Sequence, residues 1–331
     1  MKIPVSEITD KMTAVLKAKG YVDDDIPFIV NMYLGGELRG HTSHGLASFP
    51  GFANDDFSDC AKPEVVKETH SVFLLDAKSR SGNVVGRWAA DEAVKRARAE
   101  VAGISIIKNM DSWLRPGAIA EYIADQGLVA LVVNSGGGAS IAPPGGYDAV
   151  VGTNPIAYGI PTDEGSLVVD MATAKRAWGQ VRLANKYGTK LPQDSFYDKS
   201  GNVTLDPKEA WSVMPFGDYK GFSLALFIEM MCGAFIGMPM MIDSKNTGSQ
   251  YGARLLDRGG IIVAFDPAQI GSLEDLKAAN SDLIRRIKAT HARGGETIRI
   301  PGEEATRLHA LRIQDGSLEI PDELWAEIKE L

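Results

Sequence analysis

The chain is predicted to be a mixed α/β protein with helical ends, and three patterns carry that prediction. Short β-branched runs recur through the middle of the chain, at 103–108 (GISIIK), 128–134 (LVALVVN), 156–161, 167–170 and 259–265 (GGIIVAF). Between them lie stretches whose apolar residues repeat at helical spacing, and both ends of the chain show the same helical repeat. The 331 residues, 44% hydrophobic and 24% charged, match a folded, core-forming protein of about two domains.

Taken in order, Ser6 is a helix cap ahead of Ile8, Met12, Val15 and Leu16, and Asp23 to Asp25 open a second helix that includes Ile26, Val30, Met32 and Leu34. The run VFLL at 72–75 is a strand. Residues 82–102 place Val85, Ala89, Ala93, Val94 and Ala97 on one helical stripe that stops before Gly103. Another helix covers 118–126. After the strand at 259–265, Ser272 caps a helix bearing Leu273, Leu276, Leu283, Ile284 and Ile287. A turn at 300–304 precedes a helix at 305–312, and Pro321 sits near the first turn of the last helix, 321–331.

Composition excludes several function classes. The net charge of −8 is spread along the chain with no basic block to neutralise a phosphate backbone, so nucleic acid is not an expected partner. Cys60 and Cys232 stand far apart without ligand spacing, so neither a disulfide framework nor a metal site is expected, and a reducing cytoplasm is the expected compartment. The N-terminus lacks the apolar core of a secretory signal. Residues 222–241 (FSLALFIEMMCGAFIGMPMM) approach the length of a membrane span with Glu229 as their only charge. Gly233, Gly237 and Pro239 mark the segment instead as a buried helix, at a domain centre or a subunit interface.

Four segments carry candidate chemistry. At 39–46, RGHTSHGL follows a helical run, and His44 has a hydroxyl neighbour and a glycine, suited to donating a proton to a reacting oxygen; a buried hydrogen-bonding histidine is the plainer alternative. The glycine- and proline-rich loop at 134–146, with GTNP at 152–155, can wrap a small molecule or serve as a long structural turn. Residues 168–174 (VVDMATA) end a strand with an acid and small residues. DYKG at 218–221 puts Lys220 before an apolar helix, where it either meets an anion or makes a surface ion pair. No GxGxxG opens a helix after a strand, and no Walker loop is present.

Taken together these segments resemble the type-2 malate/lactate dehydrogenase family of NAD(P)-dependent oxidoreductases, and within it the 2,3-diketo-L-gulonate reductase branch. The resemblance runs nearly the full chain: SHG at 43–45, FP at 49–50, NxxxWxRxG at 109–117, GTNP at 152–155, VDM at 169–171, LP at 191–192, DxxG at 198–201, KG at 220–221 and IPGEE at 300–304. It implies a homodimer with a non-Rossmann cofactor domain on a mixed sheet. A helical domain built from both chain ends (1–70 and 275–331) would flank the cofactor- and substrate-binding region (71–274).

By position, His44 matches the family's proton donor, with Ser43, Ser48, Ser112, Arg115, Thr153 and Asn154 around the substrate. The cofactor-binding segments correspond to Val168, Val169, Asp170, Met171, Ala172, Thr173, Ala174, Tyr219, Lys220, Gly302, Glu303 and Glu304. The cofactor implied is NAD(H) or NADP(H), NAD being favoured. The chain departs from the family pattern at two substrate positions: Ser48 stands where an arginine is usual, and Ser112 where a second histidine is common. Arg39, Arg80 or Arg115 is then expected to replace the carboxylate anchor. The expected activity is reduction of a 2-oxo acid or related carbonyl; a cyclic imino acid reductase and a non-catalytic nucleotide binder are the alternatives.

Overall fold

The computed structural model describes residues 1–55, 62–243 and 258–331. Cys60 lies outside them. The chain begins with β1 (Lys2–Pro4), α1 (Val5–Ala18) and α2 (Ile26–Leu38), passes through two 3-10 turns, Thr42–His44 and Leu46–Ser48, and enters α3 (Phe49–Asn54). Helix α1 is amphipathic and buries Ile8, Met12, Val15 and Leu16, whereas α2 is apolar nearly all round and buried along most of its length. Next come β2 (Glu64–Glu68), β3 (Val72–Asp76), α4 (Gly82–Glu100), β4 (Ala102–Met110), α5 (Pro116–Ala124), β5 (Val129–Asn134), β6 (Ile156–Thr162) and β7 (Gly165–Met171). Helix α6 (Gly179–Tyr187), the short strands β8 (Phe196–Tyr197) and β9 (Ser212–Val213), and α7 (Tyr219–Cys232) lead to β10 (Arg258–Phe265). The chain closes with α8 (Leu273–Lys288), α9 (Glu303–Asp315), β11 (Ser317–Glu319) and α10 (Asp322–Glu330).

Seven strands form one sheet in the order β2-β3-β4-β10-β5-β6-β7. Its one parallel pair, β3 with β4, is joined by α4, the crossover that parallel pairing demands. The alanine stripe foreseen for 82–102 lets α4 lie close on the sheet, with Ala89, Ala93 and Ala97 fully covered. The same core takes in α1, α2, α5 and, from the C-terminus, Trp325 and Ile328. The two chain ends meet because β1 pairs with β11 through Ile3 and Leu318, and the terminal amine donates to Ile320 O at 2.8 Å. The mixed sheet and the helices gathered from both ends are the fold class expected. Strand β2 and helix α8 fall within the stretches assigned to the helical unit, yet both pack on the sheet; α8 is held there by Ser281, which accepts from Asp163 N at 2.9 Å, and by Asn280, which donates to Pro161 O at 3.0 Å.

The segment at 222–241 differs from its expectation. The stretch Tyr219–Ile236 is by length and composition enough to cross a membrane, but its α-helix ends at Cys232 and only one face is covered. That face sets Ile228 and Cys232 against Ile261, with Ile104, Ile106, Val133 and Ile156 around them. Phe227 (59%) and Phe235 (64%) stand in solvent with Met230. A domain centre is therefore excluded for this segment: a helix on the outer face of a sheet can cover only the side chains that face the strands.

Candidate active site

The His44 turn is built from the end of α2. After Leu38 the chain reverses, with His41 N donating to Gly36 O and His44 N to His41 O, both at 2.9 Å. The Glu37 carboxylate accepts from Leu46 N at 3.2 Å and ties the turn to the helix, and burial raises the pKa of that carboxyl. Ser48 Oγ donates to Ser43 O at 3.1 Å, so the serine at the departing position closes the turn from within. Ser43 Oγ lies 2.8 Å from His44 Nδ1, which leaves Nε2 as the nitrogen for chemistry. His44 is pushed down to about 4, first by burial and then by the positive charges of His41, Arg182 and Arg115. In the free chain the ring is neutral at pH 7.

The segment before α5 forms the next wall. Trp113 is fully buried, and Ser112 Oγ accepts from Leu114 N at 2.9 Å. Arg115 is 5% exposed; its Nη1 donates to Asn31 O and Met32 O at 3.3 and 3.1 Å, and burial lowers it to about 10. Asp170, at the end of β7, accepts from Gly117 N at 2.9 Å, and burial raises its pKa.

GTNP supplies a third wall, through Thr153. Asn154 is fully buried: its Oδ1 accepts from Gly136 N at 2.9 Å, and its Nδ2 donates to Ala225 O and to Glu229 Oε2, both at 2.8 Å. With every polar atom so engaged, the Asn154 side chain holds the loop rather than meeting a substrate, unlike the role expected of it. Glu229, 1% exposed, also accepts from Gly152 N and Met241 N. Thr173 Oγ1 donates to Thr153 O at 2.8 Å, so this residue too is structural in its contacts.

These walls enclose a cleft of about 750 Å³, large enough for a drug-sized ligand. Of the residues singled out from sequence, Ser43, His44, Ser48, Ser112, Arg115, Thr153, Asp170 and Ala172 line it. Arg39 and Arg80 do not; Arg39 is engaged by Glu121 and by Gly35 O. The loop at 134–146 reaches the cleft through Asn134, Gly136, Gly137 and Ser140, and the cleft also contains Trp178, Gln180, Arg182 and Arg258, none of these four foreseen. The only sequence signal for α6 was a helical spacing of Val181 and Ala184, and Arg258 reaches the cleft only because β10 runs between β4 and β5.

The expected cofactor segments gather around β7. Gly302, at φ +86°, packs so closely on Val168 that a Cβ there would lie 2.0 Å from the Val168 carbonyl oxygen. Beyond the other end of the strand, Phe216 N donates to Thr173 O at 3.0 Å and a Cβ on Gly221 would lie 3.0 Å from the same oxygen, so the turn that carries Tyr219 and Lys220 packs on Thr173. Val169, Thr173 and Ala174 are buried, while Met171, Lys220 and Tyr219 (60%) are exposed. Glu303 pairs with Lys288 and accepts from Ile300 N, and Glu304 pairs with Arg307 at 2.6 Å. Apart from Asp170 and Ala172, these residues flank the cleft without lining it.

A nicotinamide group fits the donor set. Two buried acceptors in the cleft wall, Asn134 Oδ1 and Gln180 Oε1, have no partner among the described residues, and a carboxamide N–H would satisfy either. Among the described residues no cluster of histidine, cysteine or carboxylate side chains is arranged to hold a metal.

Known proteins share this architecture over its whole length. The malate/(S)-sulfolactate dehydrogenase of Methanothermus fervidus is 28% identical over 337 aligned residues, covering 100% of this chain and 97% of its own. The 2,3-diketo-L-gulonate reductase of Klebsiella pneumoniae is 24% identical, with full coverage of both chains. The solved structure of sulfolactate dehydrogenase from Methanocaldococcus jannaschii superposes with a TM-score of 0.88 at 28% identity, over 100% of this chain and 96% of that one. Residues 3–329 match the model of the malate/L-lactate dehydrogenase family, and the chain belongs to that family.

Proposed function

We propose that this oxidoreductase reduces a 2-oxo acid or related carbonyl at the expense of NAD(P)H, with His44 as the proton donor. The observation that carries the reading is the convergence of His44, Arg115, Asp170 and the unpartnered amide oxygens of Asn134 and Gln180 on one cleft. When bound, the nicotinamide supplies a hydride to the carbonyl carbon. As the C=O π bond breaks, its electron pair moves to oxygen, and His44 Nε2 gives that oxygen its proton; solvent then reprotonates the ring. Ser43 holds Nδ1 and so fixes which nitrogen faces the substrate. The contact of Gly302 with Val168 and of the turn at 216–221 with Thr173 supports a cofactor site shared by these three segments. NAD is favoured over NADP by the family branch, and the cytoplasm is the compartment the composition suits.

The test is oxidation of NADH and of NADPH by the purified protein across 2-oxo acids, diketo sugar acids and cyclic imino acids. Turnover of the open-chain acids is expected. Turnover confined to imino acids would reassign the substrate to C=N bonds, and cofactor binding without oxidation of either nucleotide by any acceptor would refute the reductase reading.

A homodimer completes the proposal. The solvent-facing row of Phe227, Met230 and Phe235 is an apolar patch that a second copy would cover. Light scattering is expected to give twice the mass of the 35.6 kDa chain, and Phe227→Glu is expected to shift it to monomer. A wild-type monomer would remove the dimer from the proposal.

A further inference from the structure

A 2-oxo acid whose carbonyl is reduced beside His44 needs a cation near that ring to hold its carboxylate, and three guanidinium groups line the cleft. Arg115 turns its Nη1 back onto the Asn31 and Met32 carbonyls, which ties that nitrogen to α2 in the wall. Arg258 opens β10 and stands beside Gly137, in the loop after β5; a Cβ on that glycine would lie 3.8 Å from Arg258 Nη2. Arg182 is differently placed. Helix α6 packs on the 3-10 turn that holds His44, and at its first residue, Gly179, a Cβ would sit 3.1 Å from Ser43 Cβ. Residues three apart on a helix share a face, so Arg182 stands one turn along on the side of α6 that meets the Ser43-His44 turn. Its positive charge is felt at His44, together with those of His41 and Arg115.

We propose that Arg182 is the substrate-binding residue that holds the carboxylate of the acceptor, placing the adjacent carbonyl at His44. A planar guanidinium offers a carboxylate two parallel hydrogen bonds, which sets the orientation of a 2-oxo acid as well as its affinity. Helix α6 thereby selects for an anion one bond away from the reacting carbon. This assignment rests on the reductase reading for the nature of the ligand.

The test compares two probes that differ by one group: oxamate, an anionic isostere of a 2-oxo acid, and oxamide, its uncharged amide. Calorimetric titration is run on wild type, Arg182→Leu, Arg182→Gln and Arg182→Lys, with and without NADH. Wild type is expected to prefer oxamate at least about tenfold, the Leu and Gln variants to lose that preference, and Lys to keep part of it, with NADH affinity unchanged in all four. In turnover, Arg182→Leu is expected to raise KM for an anionic acceptor about 30-fold while kcat stays within about threefold. Retention of the oxamate preference by Arg182→Gln or Arg182→Leu would overturn the assignment, as would a wild type that binds oxamate no better than oxamide or binds neither. If no acceptor is reduced but the oxamate preference depends on Arg182, the anchor stands and the reductase reading falls.

Discussion

Replacing His44 with alanine is expected to lower kcat/KM for NAD(P)H-dependent reduction about a thousandfold, within the range a positioned general acid contributes. NADH affinity should change less than about threefold, because among the described residues the ring is held by Ser43 alone and the loss falls on the transition state rather than on cofactor binding. The pH dependence checks the same assignment. Reduction consumes a proton from the imidazolium, and in the free chain that ring titrates at about 4 because it is buried and faced by the charges of His41 on its own turn, Arg182 on α6 and Arg115 ahead of α5. Above that value the protonated fraction falls, so kcat/KM for reduction should decline as pH rises. The reverse reaction needs the neutral ring, and its kcat/KM should climb as pH passes upward through about 4 and then level off. A bound carboxylate offsets the neighbouring cations, so the limb seen in kcat should lie above the limb seen in kcat/KM. Activity of His44→Ala within tenfold of wild type would assign the proton to another group.

Glu229→Leu is expected to cost about 3–5 kcal/mol of unfolding free energy, the largest effect foreseen for any single exchange outside the catalytic turn. The carboxylate projects from α7 into the interior and accepts from Asn154 Nδ2, Gly152 N and Met241 N. Leucine fits the space but strands those three donors in the interior, where each lost partner leaves a desolvation cost. Glu229→Gln keeps one acceptor oxygen and should lose less than half as much. Denaturant unfolding of the two variants, followed by far-ultraviolet dichroism, measures both. Since Gly152 and Asn154 flank Thr153, the leucine variant should also raise KM for the acceptor. An unfolding midpoint equal to wild type would mean that the carboxylate does not hold the loop.

Much of the sheet was legible because β-branched runs bounded by glycines have few other conformations open to them, and β4, β5 and β10 lie where those runs predict. The stripe of Ala89, Ala93 and Ala97 marked α4 for the same local reason. Strand β2 was not foreseen, since its EVVKE sequence is exposed throughout and shows no alternation; it forms by pairing with β3. Helix α6 was missed because its polar residues mask a short apolar face, and with it went Gln180 and Arg182. The position of His44 was visible from its own neighbours, while the direction of its titration was not: a sequence places it near the ordinary histidine value, and only the packing of α6 and the Arg115 segment around it lowers that value.

What the sequence determined by itself was local: where strands and helices begin, that no nucleotide-binding Rossmann turn is present, and that the SHG turn carries the histidine. The tertiary structure alone decided which distant segments share a space. It turned Asn154 inward to Glu229, set Arg39 against Glu121 outside the cleft, left the outer face of α7 in solvent, and brought Arg182 into one cleft with His44. The physical reason is one of range. Backbone preference and apolar periodicity act between residues a few positions apart, whereas burial, charge and hydrogen-bond satisfaction depend on groups that the chain brings together only when it folds.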